Sequence, residues 1–189
     1  DVTVNAPQVL ARQVKRARRG PLLIGTVTDP YQPAEKRYRV TRGCLEVLLE
    51  QGFSINILTR SPLCTRDIDL FQRLEDIAVG LSITTDNEKI RKIFEPRSPS
   101  IPSRIEALRT LHSAGVSTYA FIGPMLPLDP EKIIETLGDV ADEVLVDRLN
   151  YENKVKRLYR AAGMESYLSG EYFKECAFIL KVGFEKKAI

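Results

Sequence analysis

Five short segments hold the residues of this 189-residue chain best suited to chemistry: Thr28-Asp29-Pro30-Tyr31-Gln32-Pro33, Thr59-Arg60-Ser61-Pro62, Ser82-Ile83-Thr84-Thr85-Asp86, Gly123-Pro124-Met125-Leu126-Pro127 and Asp147-Arg148-Leu149-Asn150. Asp29, Arg60 and Asp147 suit acid–base or phosphate chemistry. Structural readings stand beside this one: Asp29 with Pro30 ends a strand in a tight turn, Arg60 pairs with Glu35 or Asp67, and Ser82 caps the next helix. A second cluster is basic. Arg12, Lys15, Arg16 and Arg19 fall on one face of a helix, a stripe that could track phosphates but that also suits a solvated outer face. The three cysteines, Cys44, Cys64 and Cys176, lack the close spacing of a zinc or iron–sulfur site and read as core thiols in a reducing, cytoplasmic compartment. Cys64 alone follows the Arg60 loop and is within reach of a site there. His112 reads as a surface or packing residue.

Each chemical segment follows a short apolar run: Leu22 to Val27, Ser54 to Leu58, Ala78 to Ile83, Ser117 to Ile122 and Glu143 to Val146. The runs start about 25 to 40 residues apart, the length of a strand–loop–helix unit. Most are apolar nearly throughout, so both faces should be covered, as in a parallel sheet. Helical patterns lie between them. Asn5 caps a helix with Pro7 in its first turn that runs to Arg19; others span Thr41 to Gln51, Asp67 to Glu75, Ser103 to Ser113 and Pro130 to Leu137. In parallel α/β folds the loops after the strands open on one face, so the five segments should meet there. After Asn150 the rhythm stops, and a helix over Lys154 to Leu168 and a mixed segment over Tyr172 to Val182 form an extension.

Composition sets the outer bounds. With 28 Lys+Arg against 25 Asp+Glu, a net charge of +3 and 43% hydrophobic residues, the chain is neither disordered nor strongly attracted to polyanions. No apolar run approaches the ~18 residues of a membrane span.

Taken in order, the motifs resemble the radical SAM proteins of the spore photoproduct lyase-like group. The resemblance is carried by Val4-Asn5-Ala6-Pro7, Thr28-Asp29-Pro30-Tyr31-Gln32-Pro33-Ala34-Glu35, Thr41-Arg42, Leu58-Thr59-Arg60-Ser61 and Arg66-Asp67-Ile68-Asp69-Leu70. It continues through Leu81-Ser82-Ile83-Thr84-Thr85, Phe94-Glu95-Pro96-Arg97-Ser98-Pro99-Ser100, Arg104-Ile105 with Leu108, Ala114-Gly115 and Pro124-Met125-Leu126-Pro127, covering about residues 1 to 150.

The resemblance implies an α/β fold, a partial (β/α)6 TIM-like barrel of parallel strands. Residues 1–150 would supply strands two to six, and 151–189 a C-terminal extension packed on them. It also implies a 4Fe–4S cluster, S-adenosylmethionine cleaved to a 5′-deoxyadenosyl radical, and an electron donor that reduces the cluster. The CxxxCxxC motif that holds the cluster in the family is absent from these residues and is expected upstream of Asp1, with the first βα unit. Cofactor contacts are implied at Thr28, near the methionyl end, at Asp29 and Ser61 beside it, at Arg60 for the carboxylate, and at Ser82 for a ribose hydroxyl. Spore photoproduct lyase carries a hydrogen-donating Cys two positions before the residue matched to Thr28. Here that position is Thr26, which argues against a dimer-repair lyase working through that thiol and leaves the substrate open, nucleic acid included. Tyr151, Arg157, Tyr159 and Tyr167 are candidates to line the open side of the barrel. The alternatives are an α/β-barrel enzyme of another reaction type, or a nucleic-acid-binding module using the basic helix 12–19.

Overall fold

Five strands, β1 (Pro21–Ile24), β2 (Ser54–Thr59), β3 (Ile77–Ser82), β4 (Ser117–Ile122) and β5 (Glu143–Val146), form one sheet in the computed structural model, which describes residues 2–49, 51–150, 152–187 and 189. Their spatial order is their chain order, and each neighbouring pair is parallel. Parallel β-α-β crossovers are right-handed almost without exception. When the order never reverses, that rule puts the helices on one side and curls the sheet around the other, giving an incomplete barrel.

The helices are α1 (Ala6–Gln13), α2 (Glu35–Tyr38), α3 (Val40–Leu48), α4 (Ile68–Phe71), α5 (Glu88–Phe94), α6 (Ile101–Ser113), α7 (Pro130–Leu137), α8 (Glu152–Ala161) and α9 (Gly170–Lys186). Local chemistry starts several of them. The side chains of Asn87, Ser100, Asp129 and Ser169 accept hydrogen bonds from first-turn N–H groups of α5, α6, α7 and α9.

The outward side chains Ile55, Ile57, Val79, Leu81, Ala120 and Ile122 are buried in one core with Leu45, Leu48, Leu108 and Leu111 of α3 and α6. Burying each such Leu or Ile contributes about 1.5–3 kcal/mol. Cys176, Leu180 and Phe184 of α9 join that core. The expectation of two covered faces holds only at the centre. β3 is buried along almost its whole length, whereas Leu23 on β1 and Leu145 on β5 are 57% and 41% exposed toward the inside of the curl.

Several predicted elements end early, among them the helices read over Asp67 to Glu75 and Lys154 to Leu168, which stop at Phe71 and Ala161. The run over Leu22 to Val27 is a strand only to Ile24, because the chain turns at Gly25 (φ 112°). A Cβ there would collide with the Leu58 carbonyl oxygen, so only glycine lets the loop cross β2 this closely. The helix predicted to reach Arg19 stops at Gln13, continues as a 3-10 turn over Val14–Arg16 and is extended at Ala17. The basic helix 12–19 is therefore not one helix, and Arg19 packs instead beside Gly52.

Tyr151 lies outside the described residues. Arg157 is exposed, Tyr159 is buried against Phe94 with ring centroids 4.4 Å apart, and Tyr167 stacks edge-on with Tyr172. Among the described residues no helix is long and apolar enough to cross a membrane.

Candidate active site

The loop after β1 carries Asp29, whose carboxylate works as a clamp. One oxygen accepts the Tyr31 N–H at 2.8 Å and the Thr59 hydroxyl at 2.6 Å; the other accepts the Arg60 N–H at 2.8 Å. Thr59 in turn accepts the Ser61 N–H at 2.9 Å. Two strand ends are thus fastened by one short polar side chain of the type that favours such turns.

Arg60 leaves that clamp and meets neither Glu35 nor Asp67. Its Nε donates to Glu95 at 3.0 Å, and the second Glu95 oxygen accepts Arg104 Nη2 at 2.7 Å. Arg104 is fully buried, and its remaining nitrogens donate to the carbonyls of Ser82 and Pro99, both at 3.0 Å. Burial pulls the Arg104 pKa below its ordinary value, against the opposing charge of Glu95. The ends of β1, β2 and β3 are therefore laced in sequence through Asp29, Arg60, Glu95 and Arg104. Ser82 does not cap α5, since Asn87 does.

Behind the clamp lies a second charged cluster. The buried Glu35 carboxylate accepts the Thr41 and Arg42 N–H groups at the start of α3 and also Arg66 Nη2. The buried Asp67 accepts Arg42, Arg66 and the Tyr31 hydroxyl. Burial and the Asp67 charge push the Tyr31 phenol well above its usual range. Tyr31 and Glu35, prominent in the sequence, thus hold the loop rather than face a ligand.

A cavity of about 820 Å³ opens at these strand ends. Thr28, Asp29, Arg60 and Ser82 line it, with Tyr119, Phe121 and Leu145 among the apolar residues deeper in the curl. Tyr119 lies across β3, donating from its hydroxyl to the Ile57 carbonyl, and its ring occupies the space a side chain at position 80 would need. Ser61 lines an adjoining cavity of about 960 Å³ that shares Asp29 and Arg60. The structure thus gathers four of the five predicted contacts into one cavity and puts Ser61 beside it. Asp147 is exposed and does not line the first cavity, so the trio Asp29, Arg60 and Asp147 is not assembled. Thr59, Glu95 and Arg104 all stand inside quoted motifs, and Glu95-Pro96-Arg97 reads from sequence as a helix close or a substrate contact; the bonds they make here, to Asp29 and between Arg60 and Arg104, were not foreseen.

A profile of the radical SAM superfamily matches residues 2–140. The chain belongs to the radical SAM superfamily. An uncharacterised protein of Methanocaldococcus jannaschii is 41% identical over 118 residues, covering 61% of this chain and 45% of that protein. A phage protein named radical SAM Nalpha-GlyT isomerase, from Pseudomonas phage M6, is 28% identical over 100 residues, covering 53% of this chain and 21% of its own length. Among solved structures, Streptococcus suis SuiB bound to S-adenosylmethionine aligns with a TM-score of 0.54 at 15% identity, covering 85% of this chain and 40% of SuiB, which is a likeness of fold. This radical SAM chain spans less than half the length of these relatives.

The superfamily's cluster has no fit among the described residues, where no three Cys, His, Asp or Glu side chains could hold a metal ion. Cys64 and Cys176 are buried and Cys44 is half-buried in α3. Burial, with the nearby Asp29 charge, pushes the Cys64 thiol up to about 12, so it is not a thiolate at neutral pH.

Proposed function

We propose that this chain is the cofactor-binding part of a radical SAM enzyme of the spore photoproduct lyase-like group, with the cavity at the strand ends receiving S-adenosylmethionine. The observation that carries the reading is the state of Arg60. Its backbone N–H and its Nε are committed to Asp29 and Glu95, so the guanidinium is held in place while its two terminal nitrogens carry no partner among the described residues. Such a fork is preorganised for a carboxylate.

The cavity's size and lining suit the cofactor: its volume is that of a drug-sized ligand site, with a few polar groups over an apolar floor. Arg60 would hold the carboxylate, Thr28 would stand beside the methionyl end, Ser82 would bond a ribose hydroxyl, and Tyr119, Phe121 and Leu145 would exclude water. Asp29 would act through the loop it clamps, and Ser61 would border the cofactor from the adjoining cavity. S-adenosylmethionine held there would supply the family's radical chemistry once a cluster furnished the electron for its cleavage. The cluster ligands would come from sequence outside these 189 residues, with an external electron donor.

The test is S-adenosylmethionine binding by calorimetry in the anaerobically reconstituted full-length protein. Arg60→Ala should weaken binding about tenfold to a hundredfold, the worth of hydrogen bonds to a charged group. Arg60→Lys should recover part of that loss. A reconstituted protein without visible iron–sulfur absorption, or an Arg60→Ala variant that binds normally, rejects the reading.

A further inference from the structure

The adjoining cavity, of about 960 Å³, has a chemistry that the cofactor does not use. Four cations line it: Lys36 from α2, Arg60, Arg66 from the 3-10 turn Pro62–Asp67, and Arg97 from the turn between α5 and α6. Asp29 is the acidic residue among its lining side chains, and both its oxygens are already filled by Tyr31, Thr59 and Arg60.

The four cations divide into two kinds. Arg66 is immobile: Nε and Nη2 meet Asp67, Nη2 also meets Glu35, and Nη1 donates to the Glu35 carbonyl. Arg60 is fastened through Nε to Glu95. These two form a fixed basic wall whose counter-charges sit behind it. Lys36 and Arg97 are exposed and meet no carboxylate among the described residues, so they act as two hydrated arms with nothing to neutralise them. Pro33, Leu63 and Pro99 give the cavity apolar surface beside the charges.

The geometry points to a phosphoryl group on a small organic substrate, bound with its dianion between Lys36 and Arg97 and its carbon skeleton directed over Arg60 toward the first cavity. One monocarboxylate would leave an arm unpaired, whereas a phosphomonoester carries close to two charges at neutral pH and three acceptor oxygens. This assignment rests on the reading of the first cavity as the cofactor site, because the shared wall at Asp29 and Arg60 is what brings a substrate carbon near it.

The test titrates the full-length protein with phenyl phosphate, followed by phosphorus NMR line broadening, with an oligothymidylate as a parallel probe and benzoate measured by its competition against phenyl phosphate. Phenyl phosphate should bind at least about tenfold more tightly than benzoate, and Lys36→Ala with Arg97→Ala should weaken it about tenfold or more. Both side chains are exposed and unpaired, so the double variant should keep the wild-type Tm and its affinity for S-adenosylmethionine. Equal binding of benzoate, or undiminished phenyl phosphate binding in the double variant, overturns the assignment. So does oligothymidylate that binds more tightly than phenyl phosphate and depends on the same two residues, since the site is then one for nucleic acid. If phenyl phosphate depends on Lys36 and Arg97 while S-adenosylmethionine fails to bind the wild type, the anion site stands and the cofactor reading falls.

Discussion

The two halves of the barrel rim are built on different physics. The ends of β1, β2 and β3 are joined by directional contacts, from the Asp29 clamp through Arg60 and Glu95 to the buried Arg104. The ends of β4 and β5 are held by backbone hydrogen bonds, Met125 N–H to the Asp147 carbonyl and Leu126 N–H to that of Thr84, and their side chains add nonpolar packing, in which Leu126 and Tyr159 form a small cluster with Ile90, flanked by Leu149, Val155 and Met164. Ionic and hydrogen-bonded contacts are strong only in one geometry, whereas apolar contacts tolerate displacement. The first half thus holds its side chains in one geometry where a cofactor would need them. The second tolerates small displacements of its side chains.

Three substitutions probe that contrast. The largest effect should come from Glu95→Leu, which strips the fully buried Arg104 of its carboxylate and frees Arg60; leaving one partner of a buried pair alone costs about 3–5 kcal/mol. Urea unfolding should show that loss, and S-adenosylmethionine affinity should fall with it. On the apolar side, Tyr159→Ala should cost about 3 kcal/mol by opening a cavity. Its affinity for S-adenosylmethionine should stay within about twofold of wild type. A large change there would show that the two halves are not mechanically separate. The smallest effect belongs to Asp69→Asn at the exposed rim of the charged cluster. Hydrogen bonds from Arg42 hold the Asp69 carboxyl below its ordinary value, but the group is exposed and screened, so the change should cost less than about 1 kcal/mol at neutral pH. A lowered native pKa stabilises above the ordinary carboxylate range and is lost as pH falls through it. The difference between wild type and variant in urea unfolding should therefore vanish in acid.

Locally determined features were legible. Asp129-Pro130 marks the start of α7, and the β-branched runs mark β4 and β5 at their observed bounds, because caps and strand patterns are set by near neighbours. β1 was read three residues past its end, since that end depends on how closely Gly25 approaches Leu58, a contact made across the sheet. The site divides the same way. The polar strand ends announced Thr28, Arg60 and Ser82, but nothing in the spacing of Glu95 and Arg104 shows that one carboxylate bridges two arginines, one of them 35 residues earlier. Pairing partners of that kind are chosen by the fold, and a single sequence records only that both charges exist.

Arg60 borders a third cavity as well, of about 340 Å³, walled by Phe94, Glu95, Leu149 and Tyr159. One arginine therefore borders three compartments, and a negative charge admitted to any of them would change the field in the other two. Thermodynamic linkage makes such coupling reciprocal: whatever one occupant adds to or takes from the affinity of another, it receives in equal measure. A rim joined through a single cation would thereby tie the affinity of each compartment to the charge that a ligand brings to its neighbours.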